Sequence, residues 1–153
     1  MGEEEMEIIE SELGGYVPLR FPNFEQTDVK KFWDKLEEEE LVTTECEECG
    51  HIEFPPKIIC TKCYSDEMKW IDLPKEGEIY TYSEMHSVGR GFEHLNPPLC
   101  FGIVELENGV RLVSHIEDVK FEDLAVGDKV KVDFKEMNWC GYKKHKYFVF
   151  RKK

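Results

Sequence analysis

The sequence predicts a mainly β fold: an N-terminal helix, a four-thiolate metal ribbon and a small closed antiparallel barrel of the OB type. Three observations carry this. Two C-x-x-C pairs, Cys46/Cys49 and Cys60/Cys63, stand ten residues apart. Five segments with strand character crowd into residues 77–153. Residues 28–39 show helical apolar spacing, and no long helix follows them.

The chain has 153 residues, of which 41% are hydrophobic and 12% aromatic, enough for a core in one domain or two small ones. The acidic opening "MGEEEMEIIESE" does not resemble a signal peptide. No apolar run approaches the ~20 residues of a membrane span. A cytoplasmic protein with no membrane partner is expected, and there thiols stay reduced.

Residues 1–26 read as an extended arm, because "GGYVPLRFPNF" brings glycines and prolines behind the acidic start. An amphipathic helical segment follows over 27–43. Val29, Phe32, Trp33 and Leu36 recur at helical spacing, with Thr27 able to cap and Asp28 in the first turn. Its apolar face has two readings: packing on the chain's own ribbon, or docking a partner. Glu37 to Glu40 crowd the helix end, where anions are unfavourable, and are read as a solvated face.

The ribbon is placed at 44–76. Each C-x-x-C can give two thiolates to one ion, and two such turns complete a tetrahedral site with Zn–S bonds near ~2.3 Å. Four thiolates leave no open position, so the site is structural rather than catalytic. Zinc held by Cys46, Cys49, Cys60 and Cys63 is the preferred reading. Iron has the same ligand set, and disulfides in the cytosol of a thermophile stay open. Gly50 follows Cys49, where a tight turn takes positive φ; Tyr64 follows Cys63 where a second glycine is expected. His51 is read as an exposed turn residue. A ribbon this small buries little apolar surface, so metal would supply much of its folding free energy, on the order of 10 kcal/mol.

The barrel is placed at 77–153. "GEIYTYSEMHSV" alternates, "LCFGIVEL" continues, and "NG" at 108–109 predicts a two-residue hairpin turn into "VRLVSHI". "KVKVDF" follows a turn at Gly127, and "KYFVFRK" is last. Five short strands without a long helix suggest an OB barrel.

The order of these features carries a resemblance. A short Phe-Trp helix leads to C-x-x-C-G, then "FPP" at 54–56, a second C-x-x-C, Trp70, "GEIYTYS", a Pro-containing loop and "ED-L-x-x-G-x-x-V". From about residue 27 onward the chain resembles the DUF35 family, in which a rubredoxin-like zinc ribbon precedes an OB-fold. The resemblance implies a non-catalytic accessory subunit of thiolase-superfamily and other acyl-CoA enzymes. The chain resembles in particular the free-standing archaeal member that joins acetoacetyl-CoA thiolase to HMG-CoA synthase in the mevalonate pathway. That implies a scaffold that keeps an intermediate close or shares a CoA passage.

Charge bears on the alternatives. The net charge is −13; residues 1–76 hold 8 Lys/Arg and 21 Asp/Glu, and residues 77–153 hold 12 of each. The whole excess lies in the front half, which disfavours nucleic acid despite the OB-type barrel. Residues 129–153 nonetheless hold 9 Lys/Arg against 2 Asp/Glu, with Lys143, Lys144 and Lys146 among Trp139, Tyr142 and Tyr147. Lys143 and Lys144 are therefore candidate contacts for a partner or for the phosphates and adenine of CoA, against the reading of an edge strand blunted by lysines. Arg90, Phe92 and His94 are candidates of the same kind, in a loop over 87–98 long enough to serve binding. No catalytic motif appears: His86, His94 and His115 are scattered, Cys100 lies in an apolar strand, and Cys140 has no assigned role. A nucleic-acid-binding zinc-ribbon and OB-fold module, with RNA on the basic tail, stays the second reading, and a rubredoxin-like electron carrier, red where zinc protein is colourless, is the third.

Overall fold

The computed structural model describes residues 27–89, 95–139 and 143–153. Expectations for the arm over 1–26, for Arg90, Phe92 and His94, and for Cys140 and Tyr142 lie outside the described residues.

Helix α1 spans Lys30–Glu37, shorter at both ends than the spacing predicts. Its N-cap is Val29, with no side-chain cap; Thr27 Oγ1 accepts only a long bond, 3.4 Å, from the Val29 amide. Val42 and Thr43 belong to the first strand of the ribbon and not to the helical segment.

The ribbon is a three-stranded antiparallel sheet of β1 (Val42–Cys46), β2 (Ile52–Glu53) and β3 (Met68–Asp72), in the order β2-β1-β3. Thr44 pairs with both Glu53 and Trp70. Residues 54–67 carry no helix or strand and are tied to the sheet by side chains. The Thr44 hydroxyl donates to the Lys57 carbonyl at 2.9 Å and accepts the Lys57 amide at 3.0 Å.

The barrel closes in the order β4-β5-β6-β8-β7: β4 (Glu76–Met85), β5 (Leu99–Leu106), β6 (Arg111–Glu117), β7 (Lys129–Trp139) and β8 (Lys143–Lys152). Along β5 every second residue is buried, as a strand with one face on a core requires. Phe148, Phe150, Val104, Leu112 and Ile79 fill the interior. The parallel β6–β8 contact that closes the barrel is short, only Ile116↔Phe150 and Glu117↔Arg151. Buried Ser114 extends it by donating its hydroxyl to the Phe148 carbonyl at 2.7 Å.

Gly77 stands where β4 pairs with β5 on one side and β7 on the other. A Cβ there would lie 2.4 Å from the Glu105 carbonyl oxygen, so the crossing admits only glycine. The "NG" turn differs from the two-residue form. Leu106 accepts the Gly109 amide at 2.8 Å and donates to the Val110 carbonyl at 2.8 Å, leaving a three-residue loop. Gly109 alone is left-handed, φ +81°, so the hairpin is of the bulged kind, which needs one positive φ rather than two.

The helix face is used internally. Phe32 and Leu36 are buried, and Phe32 meets Phe54 of the ribbon edge-on at 6.0 Å. Trp33 packs against His145 (5.5 Å) and Tyr147 (6.2 Å) of β8. The acidic run is paired rather than merely solvated: Glu37 lies 3.2 Å from His145 Nδ1 and accepts the Lys146 amide at 2.9 Å, Glu39 meets Lys146, and Lys35 meets Glu38 and Glu40. Those surface pairs add little each, and hold the helix end to β8 mainly by orientation. Among the described residues no helix is long and apolar enough to cross a membrane.

Candidate metal centre

The two C-x-x-C turns are built alike. Gly50 N–H donates to the Cys46 carbonyl at 2.9 Å, and Tyr64 N–H donates to the Cys60 carbonyl at 3.0 Å. Cys46 N–H donates to the His51 carbonyl and Cys60 N–H to the Ser65 carbonyl, each at 2.9 Å. The first turn is anchored because Cys46 ends β1 and pairs with Met68 of β3.

These turns bring the four sulfurs within 4.8 Å of one another. Cys46 and Cys63 Sγ are 3.5 Å apart, and Cys49 and Cys60 Sγ 3.6 Å. A tetrahedron with ~2.3 Å Zn–S bonds has edges of roughly 3.8 Å, so the set fits one zinc ion. A disulfide needs ~2.05 Å, and all four thiols are free.

The thiols are electrostatically unequal. Burial raises Cys60, but the amides of Cys63 and Lys62 outweigh it, bringing the thiol down to about 7. The Ser65 amide lowers Cys63, yet the Cys46 thiol, burial and its other sulfur neighbours push it up to about 12. Crowded thiols resist losing every proton together, and a cation removes that conflict.

One participant is missing from the sequence expectation. Glu53, the last residue of β2, is 4% exposed. Its Oε1 accepts the Thr61 amide at 2.6 Å and the Thr61 hydroxyl at 2.5 Å. His51 Nε2 stands 3.6 Å from Oε1, and Lys57 Nζ 3.5 Å from Oε2. Burial pushes this carboxyl up; the Thr61 donors and Lys57 more than offset it, so it sits below the usual carboxylate range. No local sequence signal marks this residue, since its burial and its Thr61 partner arise only in the folded ribbon.

Among the described residues the other candidates do not assemble into a site. Lys144 is exposed and 3.6 Å from Glu136, while Lys143 opens β8. Lys129, Lys135, Lys146, Arg151, Lys152 and Lys153 each lie beside a carboxylate, so the basic tail is largely neutralised. Cys100 pairs with Ile116 and Phe101 with His115, which puts thiol and imidazole on opposite faces of the sheet. Burial pushes the Cys100 thiol up, as for a core residue. His86 is exposed beside Glu84. A cavity of about 490 Å³ at the barrel mouth has walls that include Glu84, Glu117, Asp118 and Glu122 with one lysine, Lys120, an acidic lining ill-suited to CoA phosphates.

Known proteins share this arrangement. The model described as "ChsH2, rubredoxin-like zinc ribbon domain" matches residues 33–69, and "ChsH2, C-terminal OB-fold domain" matches 70–135. A "DUF35 domain-containing scaffold protein" of Methanocaldococcus jannaschii is 35% identical over 115 residues, 74% of this chain and 81% of the relative. The "Benzoylsuccinyl-CoA thiolase subunit BbsA" of Geobacter metallireducens is 29% identical over 72 residues, 47% of each chain. A solved structure titled "Ltp2-ChsH2(DUF35) aldolase" aligns with a TM-score of 0.70 at 23% identity, covering 83% of this chain and 95% of that one. The ribbon-then-barrel order, the four clustered cysteines and the match to the Methanocaldococcus protein together establish that the chain belongs to the DUF35 family.

Proposed function

We propose that this chain is a non-catalytic scaffold subunit of an acyl-CoA condensing complex in the cytoplasm. It joins a thiolase-type enzyme, acetoacetyl-CoA thiolase, to HMG-CoA synthase in the mevalonate pathway. Cys46, Cys49, Cys60 and Cys63 hold one structural zinc. The observation that carries the reading is the closed four-sulfur cluster: it is the only metal-ligand group among the described residues and leaves no coordination position for substrate. Relatives named as a scaffold protein and as a thiolase subunit support the partner class. Arg90, Phe92, Lys143 and Lys144 are the proposed contacts to the partner or to a CoA held between the enzymes.

The pairing of the barrel's lysines with carboxylates supports a protein partner over nucleic acid, because few charges remain to displace counterions. The helix face is not offered as a docking surface, since β8 and the ribbon cover it.

The test is co-expression with candidate thiolases and synthases, read by size-exclusion chromatography and a coupled thiolase–synthase assay. Co-elution and a raised coupled rate are expected, and Arg90→Ala with Phe92→Ala should weaken both while zinc content stays at about one per chain. A chain that elutes alone and changes no coupled rate defeats the scaffold reading. Salt-sensitive micromolar binding of single-stranded RNA or DNA would favour a nucleic-acid module instead.

A further inference from the structure

The two metal turns are held to the protein in different ways. Cys46 is itself a strand residue, so β1 and β3 carry the first turn into position. Cys60 and Cys63 lie inside the stretch 54–67, which has no regular structure. Backbone bonds within that turn, Tyr64 N–H to Cys60 O and Cys60 N–H to Ser65 O, fix its shape but do not tie it to the sheet. Thr44 holds the stretch at Lys57, three residues before Cys60, and the Glu47 amide donates to the Glu67 carbonyl at 2.9 Å, four residues after Cys63. At the turn itself the tie is Glu53.

Glu53 is well placed for that task. It ends β2, paired with Thr44, and its carbonyl accepts the Thr43 hydroxyl, so two adjacent residues of β1 fix its backbone. Its carboxylate takes the amide and the hydroxyl of Thr61, the residue immediately after Cys60. Removing the acceptor would leave the Thr61 amide unpaired close to the sulfurs. Lys57 flanks the carboxylate and offsets its repulsion of the nearby thiolates, and His51 stands on its other oxygen.

We infer that Glu53 is the positioning residue of the metal centre: through Thr61 it sets the second turn, and so Cys60 and Cys63, where the first turn can share one ion with it. The inference rests on the structural-metal reading of the four cysteines. It makes Glu53 a supporting group rather than a ligand. Outer partners of this kind commonly change metal affinity by about 10- to 100-fold when removed.

The test compares the full-length chain with Glu53→Ala, Glu53→Gln and Thr61→Val. Zinc affinity is measured by competition with a chromophoric chelator, and ligand geometry by the absorption of the cobalt(II)-loaded protein. Glu53→Ala should bind zinc about tenfold or more weaker, yet give the wild-type tetrahedral tetrathiolate spectrum at saturating cobalt. Glu53→Gln keeps an acceptor for Thr61 and should recover most of the affinity, and Thr61→Val, which keeps the amide, should fall between. Wild-type affinity in Glu53→Ala overturns the inference, as does an altered saturated spectrum. Should Glu53→Ala not fold, Thr61→Val decides alone, and unchanged affinity there overturns it. A wild-type chain that binds no zinc defeats the metal reading itself, a separate outcome visible before any variant is made.

Discussion

Gly50 and Tyr64 hold the same place in the two metal turns. Each donates its amide to the carbonyl of the cysteine four residues back, and each is left-handed, at φ +71° and +63°. For glycine that conformation is free; for tyrosine it costs roughly 1 kcal/mol or more. Tyr64 recovers little by packing, since it is 82% exposed.

The two positions should therefore respond unequally to mutation. Gly50→Ala should destabilise the metal-loaded ribbon by about 1 kcal/mol, although a Cβ there meets nothing closer than 4.0 Å. Tyr64→Gly relieves strain but adds freedom to the unfolded chain, two effects of similar size, and should leave stability within about 0.5 kcal/mol of wild type. Chemical denaturation of the zinc-loaded variants measures both.

Metal removal should separate ribbon from barrel. The core runs continuously from helix to barrel, but most of its residues belong to the barrel and few to the ribbon. A strong chelator should unfold the ribbon, with loss of the ordered Trp70 environment on β3, while amide-exchange protection of β4–β8 persists. Cys60→Ser should reproduce that state without chelator. Metal-independent protection of β1 and β3 would show that zinc is not what holds the ribbon.

The metal turns are legible in the sequence because each C-x-x-C shapes its own backbone within five residues. Barrel strands are legible because alternation reports a one-sided core, and β5 buries alternate residues as "LCFGIVEL" suggests. The strand Met68–Asp72 is not legible: "MKWID" is short, lacks a clear turn signal, and is a strand through pairing with β1. Glu53 is hidden for the same reason, since its partner Thr61 is eight residues away and is brought to it by an irregular loop. The helix face is ambiguous in the sequence because its two readings require the same residues; only the positions of Phe54 and Tyr147 decide between them. His145, which receives both Trp33 and Glu37, has no local pattern that marks it.

His115 gives a pH dependence with a definite sign. Burial disfavours its imidazolium; Glu117 favours it and Lys135 opposes it, and the folded value lies below the ordinary 6.5. The unfolded chain thus binds this proton more readily. The contribution to stability is complete above 6.5 and is lost as pH falls through the folded value. His115→Phe, which keeps an aromatic ring beside Phe101, should flatten the acid side of the stability curve relative to wild type. Denaturation midpoints at about pH 7.5 and about pH 5, compared between the two proteins, cancel the shared effect of metal release. Equal slopes would show that His115 titrates normally.

Phe54 joins the three parts of the chain. Its ring meets Phe32 of the helix at 6.0 Å and Phe148 of the barrel at 5.8 Å, both edge-on, and it immediately follows Glu53. Ribbon orientation therefore depends on a side chain next to the one that positions the metal turn. Phe54→Ala removes two aromatic contacts at a half-buried site and should cost about 2–3 kcal/mol, less than a fully buried phenylalanine. The four thiols and Glu53 are untouched, so zinc affinity should change little. For the scaffold role proposed above, a fixed angle between ribbon and barrel favours assembly, because looseness adds ordering entropy to binding. Phe54→Ala should then retain zinc and a folded barrel, show faster amide exchange in α1 and β8, and lose affinity for the enzyme complex. Full assembly by a variant with a mobile ribbon would mean that the junction serves stability alone.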